Sequence, residues 1–90
     1  MAYQREDYVK IARKFVSGWK KEVSEHIIDI IVSVMMTRDN VQQGGSFAQA
    51  VIDNDLYTAL TRADEDCLSN IKIITMASKN CFVNQLEYDI

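Results

Sequence analysis

The sequence predicts an all-α fold, a small single helical domain that completes its core by associating with copies of itself. Apolar residues recur at helical spacing through the first 36 residues. Further on, Ser, Asn and Asp stand just before short apolar runs, where helices start, and the chain contains no proline. Ninety residues suffice for one domain, 1–90. A chain this short buries only roughly 60–65% of the surface its unfolded form exposes. Apolar side chains are therefore left over for contacts between subunits.

The first helix is predicted over 4–19, because Tyr8, Ile11, Ala12, Phe15 and Trp19 form one stripe with Lys10, Arg13 and Lys14 off it. Gly18 weakens its end. Ser24 caps a second helix, about 25–36, that is apolar nearly all round: Ile27, Ile30, Ile31 and Val34 on one side, Ile28, Val32 and Met35 on the other. Such a helix is either central or packed against another subunit. "TRDNVQQGG" (37–45) reads as a polar loop. Ser46 and Gln49 match a capping box, and Gly44 and Gly45 let the chain turn into it, with positive φ if the turn requires it. A short helix over about 47–53 follows. Asn54 or Asp55 then caps another over about 56–62, with Leu56, Ala59 and Leu60 inward. Asp64 opens a longer helix, about 65–79, with Leu68, Ile71, Ile74 or Thr75, and Ser78 inward. "IKIIT" has strand propensity and leaves a strand there as the alternative. The tail "CFVNQLEYDI" is open between strand, helix and extended arm.

Charge and composition exclude several classes. The longest apolar run, "IIDIIVSVMM", carries Asp29 and is too short for a bilayer, which needs about 20 residues. The N-terminus is charged from Arg5 and is no secretory signal. Cys67 and Cys81 make no disulfide framework and no CxxC, so reduced thiols and no metal are expected, in a soluble intracellular protein. A net charge of −3 argues against DNA binding. Yet Lys10, Arg13, Lys14, Lys20 and Lys21 cluster without an acid between them, which suits a small anionic ligand or simply a solvated helix face.

Candidate site residues follow from that cluster. Lysines hold phosphates while a ring stacks a nucleobase. Tyr8 is the stacking candidate, with a core position as its alternative, and Trp19 reads as core. Lys10, Lys14, Lys20 and Lys21 are the phosphate partners. Gly45 and Ser46 offer amides at a helix start, or no more than a turn and cap. Arg62, the lone base among the acids Asp53, Asp55, Asp64, Glu65 and Asp66, is either a structural ion pair or a ligand clamp. The acids themselves read as caps and surface charge. His26, the only histidine, belongs to no nucleophile arrangement, so no catalytic residue is assigned.

The string "GSFAQAVIDNDLYTALTRAD" (45–64) resembles a helical hairpin module, GSFxxAVxxNDLxxAxxRAD, of short tailed-phage proteins. It matches at Gly45, Ser46, Phe47, Ala50, Val51, Asn54, Asp55, Leu56, Ala59, Arg62, Ala63 and Asp64. Residues 65–80 follow the module loosely and the first 44 are not covered by it. Gly44 stands where the module usually has proline, and "CFVNQLEYDI" replaces its aromatic-rich segment. The module is shared by phage sponges that counter the CBASS and Thoeris defences, and this chain looks like the compact anti-CBASS kind. The resemblance implies a non-enzymatic protein of the host cytoplasm without a cofactor. It implies binding of cyclic dinucleotides such as cyclic GMP-AMP, and in some cases cyclic trinucleotides, between subunits of a homo-oligomer, a hexamer. The alternative expectation is a protein–protein module that inhibits or adapts a host protein through the acidic 53–66 surface.

Overall fold

A computed structural model describes residues 3–19 and 22–82. Every regular element among them is helical. The helices are α1 (Arg5–Ser17), α2 (Glu25–Arg38), α3 (Ser46–Ile52), α4 (Leu56–Arg62), α5 (Glu65–Ser69) and α6 (Ile71–Asn80). The "IKIIT" segment lies within α6, so the strand alternative is set aside. Residues 83–90 of the tail lie outside the described residues.

Helix α2 is central, and its composition is the reason. Ile27, Ile28, Ile31, Val32, Val34, Met35 and Met36 are all buried, on every side of the helix. Each such side chain contributes about 1.5–3 kcal/mol when taken out of water. Helices α1, α3, α5 and α6 all pack on α2. Ser24 caps it, its hydroxyl accepting from the Ile27 amide at 3.3 Å. From α1 come Tyr8, Ile11 and Ala12, and from α6 Ile73, Ile74 and Ala77.

Two helix ends share one device. Asn40 and Asn54 have φ of 60° and 59°. At the end of α2 the Asn40 amide donates to the Thr37 carbonyl and the Val41 amide to that of Met36; at the end of α3 Asn54 donates to Val51 and Asp55 to Ala50. These are Schellman turns with asparagine in the left-handed position usually held by glycine.

The Gly44-Gly45 step works differently from the sequence expectation. Neither glycine has positive φ. A Cβ on Gly44 would run into the Thr37 hydroxyl and come within 2.9 Å of Ala48 Cβ, whereas one on Gly45 would meet nothing. Gly44 is there for close approach between the loop and α2. Gly45, not Ser46, is the N-cap, and no side chain closes that helix end. Ser46 is the first helical residue, so the capping box is not formed.

The second half of the chain departs most from expectation. Of the inward set on α4 only Ala59 is buried, while Leu56 and Leu60 are exposed. The helix expected over 65–79 is broken at Asn70, whose side-chain amide donates to the Asp66 carbonyl at 2.8 Å. The inward face also differs from the expected one. Cys67, Ile73, Ile74 and Ala77 face the core, and Leu68 faces out.

Candidate functional site

The residues singled out from the sequence are not gathered into one cavity. Lys10 and Lys14 are exposed on α1, and Lys14 borders a small apolar cleft with Ile11, Phe15, Asn80 and Cys81. Gly45, Ser46 and Arg62 are exposed on α3 and α4, a pair of helices that reaches the core through α3. Lys20 and Lys21 lie outside the described residues.

Tyr8 is corrected by its burial. It is 2% exposed, so its ring faces are covered by the core and present no stacking surface. Its hydroxyl donates to Asp39 Oδ2 at 3.0 Å. Burial, reinforced by that carboxylate, pushes the phenol up to about 12.

A ring that does border open space is Trp19. Immediately after Gly18, where α1 has ended, its indole lines a cleft of about 380 Å³ with Arg13, Val16, Ser17, Glu22, Val23 and Ile28. Phe15 supports it from behind, ring centroids 6.0 Å apart. Arg13 is held by a two-pronged ion pair with Glu25, at 2.6 and 2.9 Å. The hydrogen bond from Arg13 also holds the Glu25 carboxyl below its ordinary range. A half-buried ring with a guanidinium on the same wall can stack a planar base and pair with an anion. Glu22 is the opposing charge in that wall. In the sequence, Trp19 falls on the apolar stripe and so reads as core; in the structure it packs half-buried against the core and also borders the cleft, just past the Gly18 that ends the helix.

A second, more polar cleft of about 680 Å³ lies where the α2–α3 loop meets α3. Its walls include Asn40, Gln42, Gln43 and Gln49, with Arg38 and Asp53. Amide side chains both donate and accept, the chemistry that reads base edges.

The acids have structural work. Asp55 caps α4 by accepting from the Thr58 amide at 3.1 Å. Asp64 caps α5, accepting from the Cys67 amide at 2.7 Å, and its other oxygen lies 3.1 Å from His26 Nε2. Those contacts, the backbone one first, hold Asp64 below its ordinary range. Both cysteines are free buried thiols, pushed up to about 11 chiefly by burial.

The chain matches no known protein family, no curated protein and no solved structure. Among the described residues no helix is long and apolar enough to cross a membrane.

Proposed function

We propose that this protein is a phage counter-defence sponge. It binds cyclic oligonucleotide second messengers, cyclic dinucleotides such as cyclic GMP-AMP and also cyclic trinucleotides, in the host cytoplasm and keeps them from CBASS effectors without cleaving them. The observation that carries this reading is the cleft walled by Trp19 and Arg13, supported by the resemblance of residues 45–64 to the sponge module. A base stacks on the indole while Lys10, and Arg13 once it exchanges Glu25 for the ligand, neutralise phosphate. At about 380 Å³ the cleft is small for a ligand with two bases and two phosphates. Ligand sites run from about 300 to 1,000 Å³. The second half of the ligand is therefore covered by another copy of the chain, in a homo-oligomer, a hexamer by resemblance. Burial between copies also slows release, which sequestration requires.

Titration calorimetry of the purified protein with cyclic GMP-AMP and with a cyclic trinucleotide tests this. Saturable heat is expected, along with intact nucleotide recovered after heat denaturation, and Trp19→Ala weakens binding at least about fivefold, the scale of one lost stacking contact at about 1–3 kcal/mol. Absence of heat together with unchanged mobility of the nucleotide rejects the reading.

One observation favours a second reading. Leu56, Tyr57 and Leu60 are exposed together on α4, Tyr57 by 82%, beside Asp53 and Asp55. A module that docks on a host protein would present such a face. Stoichiometric capture of one host protein by a chain that binds no nucleotide would establish it.

A further inference from the structure

We propose that His26, Asp64 and Cys67 form a binding site for a borderline-soft divalent cation, with zinc the best match to the donor set. Three different donors converge there: an imidazole nitrogen, a carboxylate oxygen and a thiol sulfur, all within 4.8 Å of one another. The sequence gives no hint of it, because His26 stands 38 residues before Asp64 and no ligand-spacing motif links them. The fold supplies the convergence. His26 sits in the first turn of α2, Asp64 caps α5, Cys67 lies in the first turn of α5, and α5 packs on α2.

One donor pair already has nearly the spacing a tetrahedral ion needs, and the thiol, within 4.8 Å of both, closes in on binding. Zinc binds N, O and S at about 2.0–2.3 Å, which puts neighbouring ligand atoms roughly 3.3–3.7 Å apart. His26 Nε2 and Asp64 Oδ2 already stand 3.1 Å apart. Asp64 is not loose: its Oδ1 is pinned by the Cys67 amide at 2.7 Å, leaving Oδ2 for the ion. Cys67 is 3% exposed, whereas the His26 and Asp64 side chains are half exposed. The ion would lie at the surface with sulfur beneath it and its fourth position toward water.

The donor types select the metal. Magnesium and calcium want oxygen ligands, and this set has one. Zinc takes sulfur, nitrogen and oxygen together. On binding, the Cys67 S–H bond breaks, a sulfur–metal bond forms and one proton passes to solvent; nothing is oxidised or reduced. Thiolate and carboxylate then balance the ion's two charges. The helix cap itself sets the Cys67 thiol beside the Asp64 carboxylate, but it does not require an imidazole from α2 on the free oxygen of the same carboxylate.

Cobalt(II), a spectroscopic stand-in for zinc, tests the site directly. Titration into the reduced full-length chain is expected to give a near-ultraviolet thiolate-to-cobalt band that zinc abolishes, and zinc is expected to raise the thermal midpoint. Cys67→Ser removes the band and Cys81→Ser leaves it. His26→Gln, a surface change that does not threaten folding, lowers cobalt affinity by more than the roughly 10–100-fold that loss of an outer-shell partner costs. Absence of the band in the wild-type chain overturns the proposal, as does a band that survives both Cys67→Ser and His26→Gln unchanged. No nucleotide is needed for any of these measurements, so the site stands or falls independently of the sponge reading.

Discussion

Arg38 fastens three parts of the chain with one guanidinium. It donates to Asp39 from Nε at 2.8 Å and from a terminal nitrogen at 3.1 Å. Its other terminal nitrogen donates to the Ser78 and Cys81 carbonyls, each at 2.7 Å, and its Cζ lies 4.3 Å from the Phe82 ring centroid. Asp39 in turn accepts from Tyr8, so α1, α2 and the end of α6 meet at one polar junction. A lysine has no planar fork and cannot serve both directions. Arg38→Lys is expected to destabilise the fold by about 2 kcal/mol, and Tyr8→Phe, which removes one hydrogen bond, by about 1 kcal/mol; urea unfolding measures both. The junction also sets a pH dependence. Burial alone would raise the Asp39 carboxyl, but the Arg38 hydrogen bond and charge outweigh it and hold the group below its ordinary range. The folded chain thus binds that proton less tightly than the unfolded one. Its contribution is complete above about pH 4 and is lost as pH falls through the lower folded value. Asp39→Asn is therefore expected to flatten the acid limb of a stability–pH curve. Tyr8 has the opposite sign: its folded value is raised to about 12, so its contribution is present below pH 10 and is lost as pH climbs toward that value. The sequence marks Arg38 only as a base in the last turn of a helix, since its partners are carbonyls forty residues away.

At the scale of elements, adjacent glycines make opposite predictions. Thr37 cannot yield to a Cβ on Gly44, because it is buried and its hydroxyl donates to the Ser33 carbonyl at 2.7 Å. Gly44→Ala is expected to cost about 1–3 kcal/mol, as overpacking does. Gly45 occupies an uncapped N-cap with open space around it, so Gly45→Ser is expected to stabilise by a few tenths of a kcal/mol. Thermal unfolding of the two variants, one midpoint falling and the other rising, checks the pair. Asn54, at φ 59°, adds a control. Asn54→Ala should cost about 1 kcal/mol while Asn54→Gly is tolerated. Which elements exist was legible in the sequence, because helical periodicity and caps at Ser24, Asp55 and Asp64 are local signals. Which face of the later helices turns inward was not. In segments as short as α4 and α5 a single residue of phase exchanges core for solvent, and the break at Asn70 carries a side-chain bond that competes with the helix. Gly44 was legible as a turn but not as a contact, since Thr37 meets it only in the folded chain.

On the scale of the whole molecule, the fold segregates charge and leaves apolar surface uncovered. Lys10, Arg13 and Lys14 are exposed on α1, whereas Asp53, Asp55, Asp64, Glu65 and Asp66 are exposed at and between the ends of α3, α4 and α5. Fold class was readable because an apolar-all-round α2 has to be covered on every side, and the structure covers it in the middle of the other helices. The candidate site was readable only as an inventory of charges and rings, since which ring stays uncovered depends on how α1 ends against α2. Leu56, Tyr57 and Leu60 belong to this scale too. On so small a core, exposed leucines and a tyrosine on one short helix are surface that, on the sponge reading, another copy would cover, and on the second reading a host protein. If copies associate through α4, the acids flanking it approach the basic α1 of a neighbour, and the contact is both apolar and charge-complementary. Multi-angle light scattering of the wild-type chain is then expected to give a multimer. Tyr57→Ala combined with Leu56→Glu should give a monomer of unchanged helicity, because both side chains already face solvent. That monomer should lose cyclic-nucleotide binding along with assembly, since the proposed site takes half of the ligand's surroundings from a second copy. A wild-type monomer that still binds the nucleotide would place the whole site within one chain and remove the need for α4 as a contact.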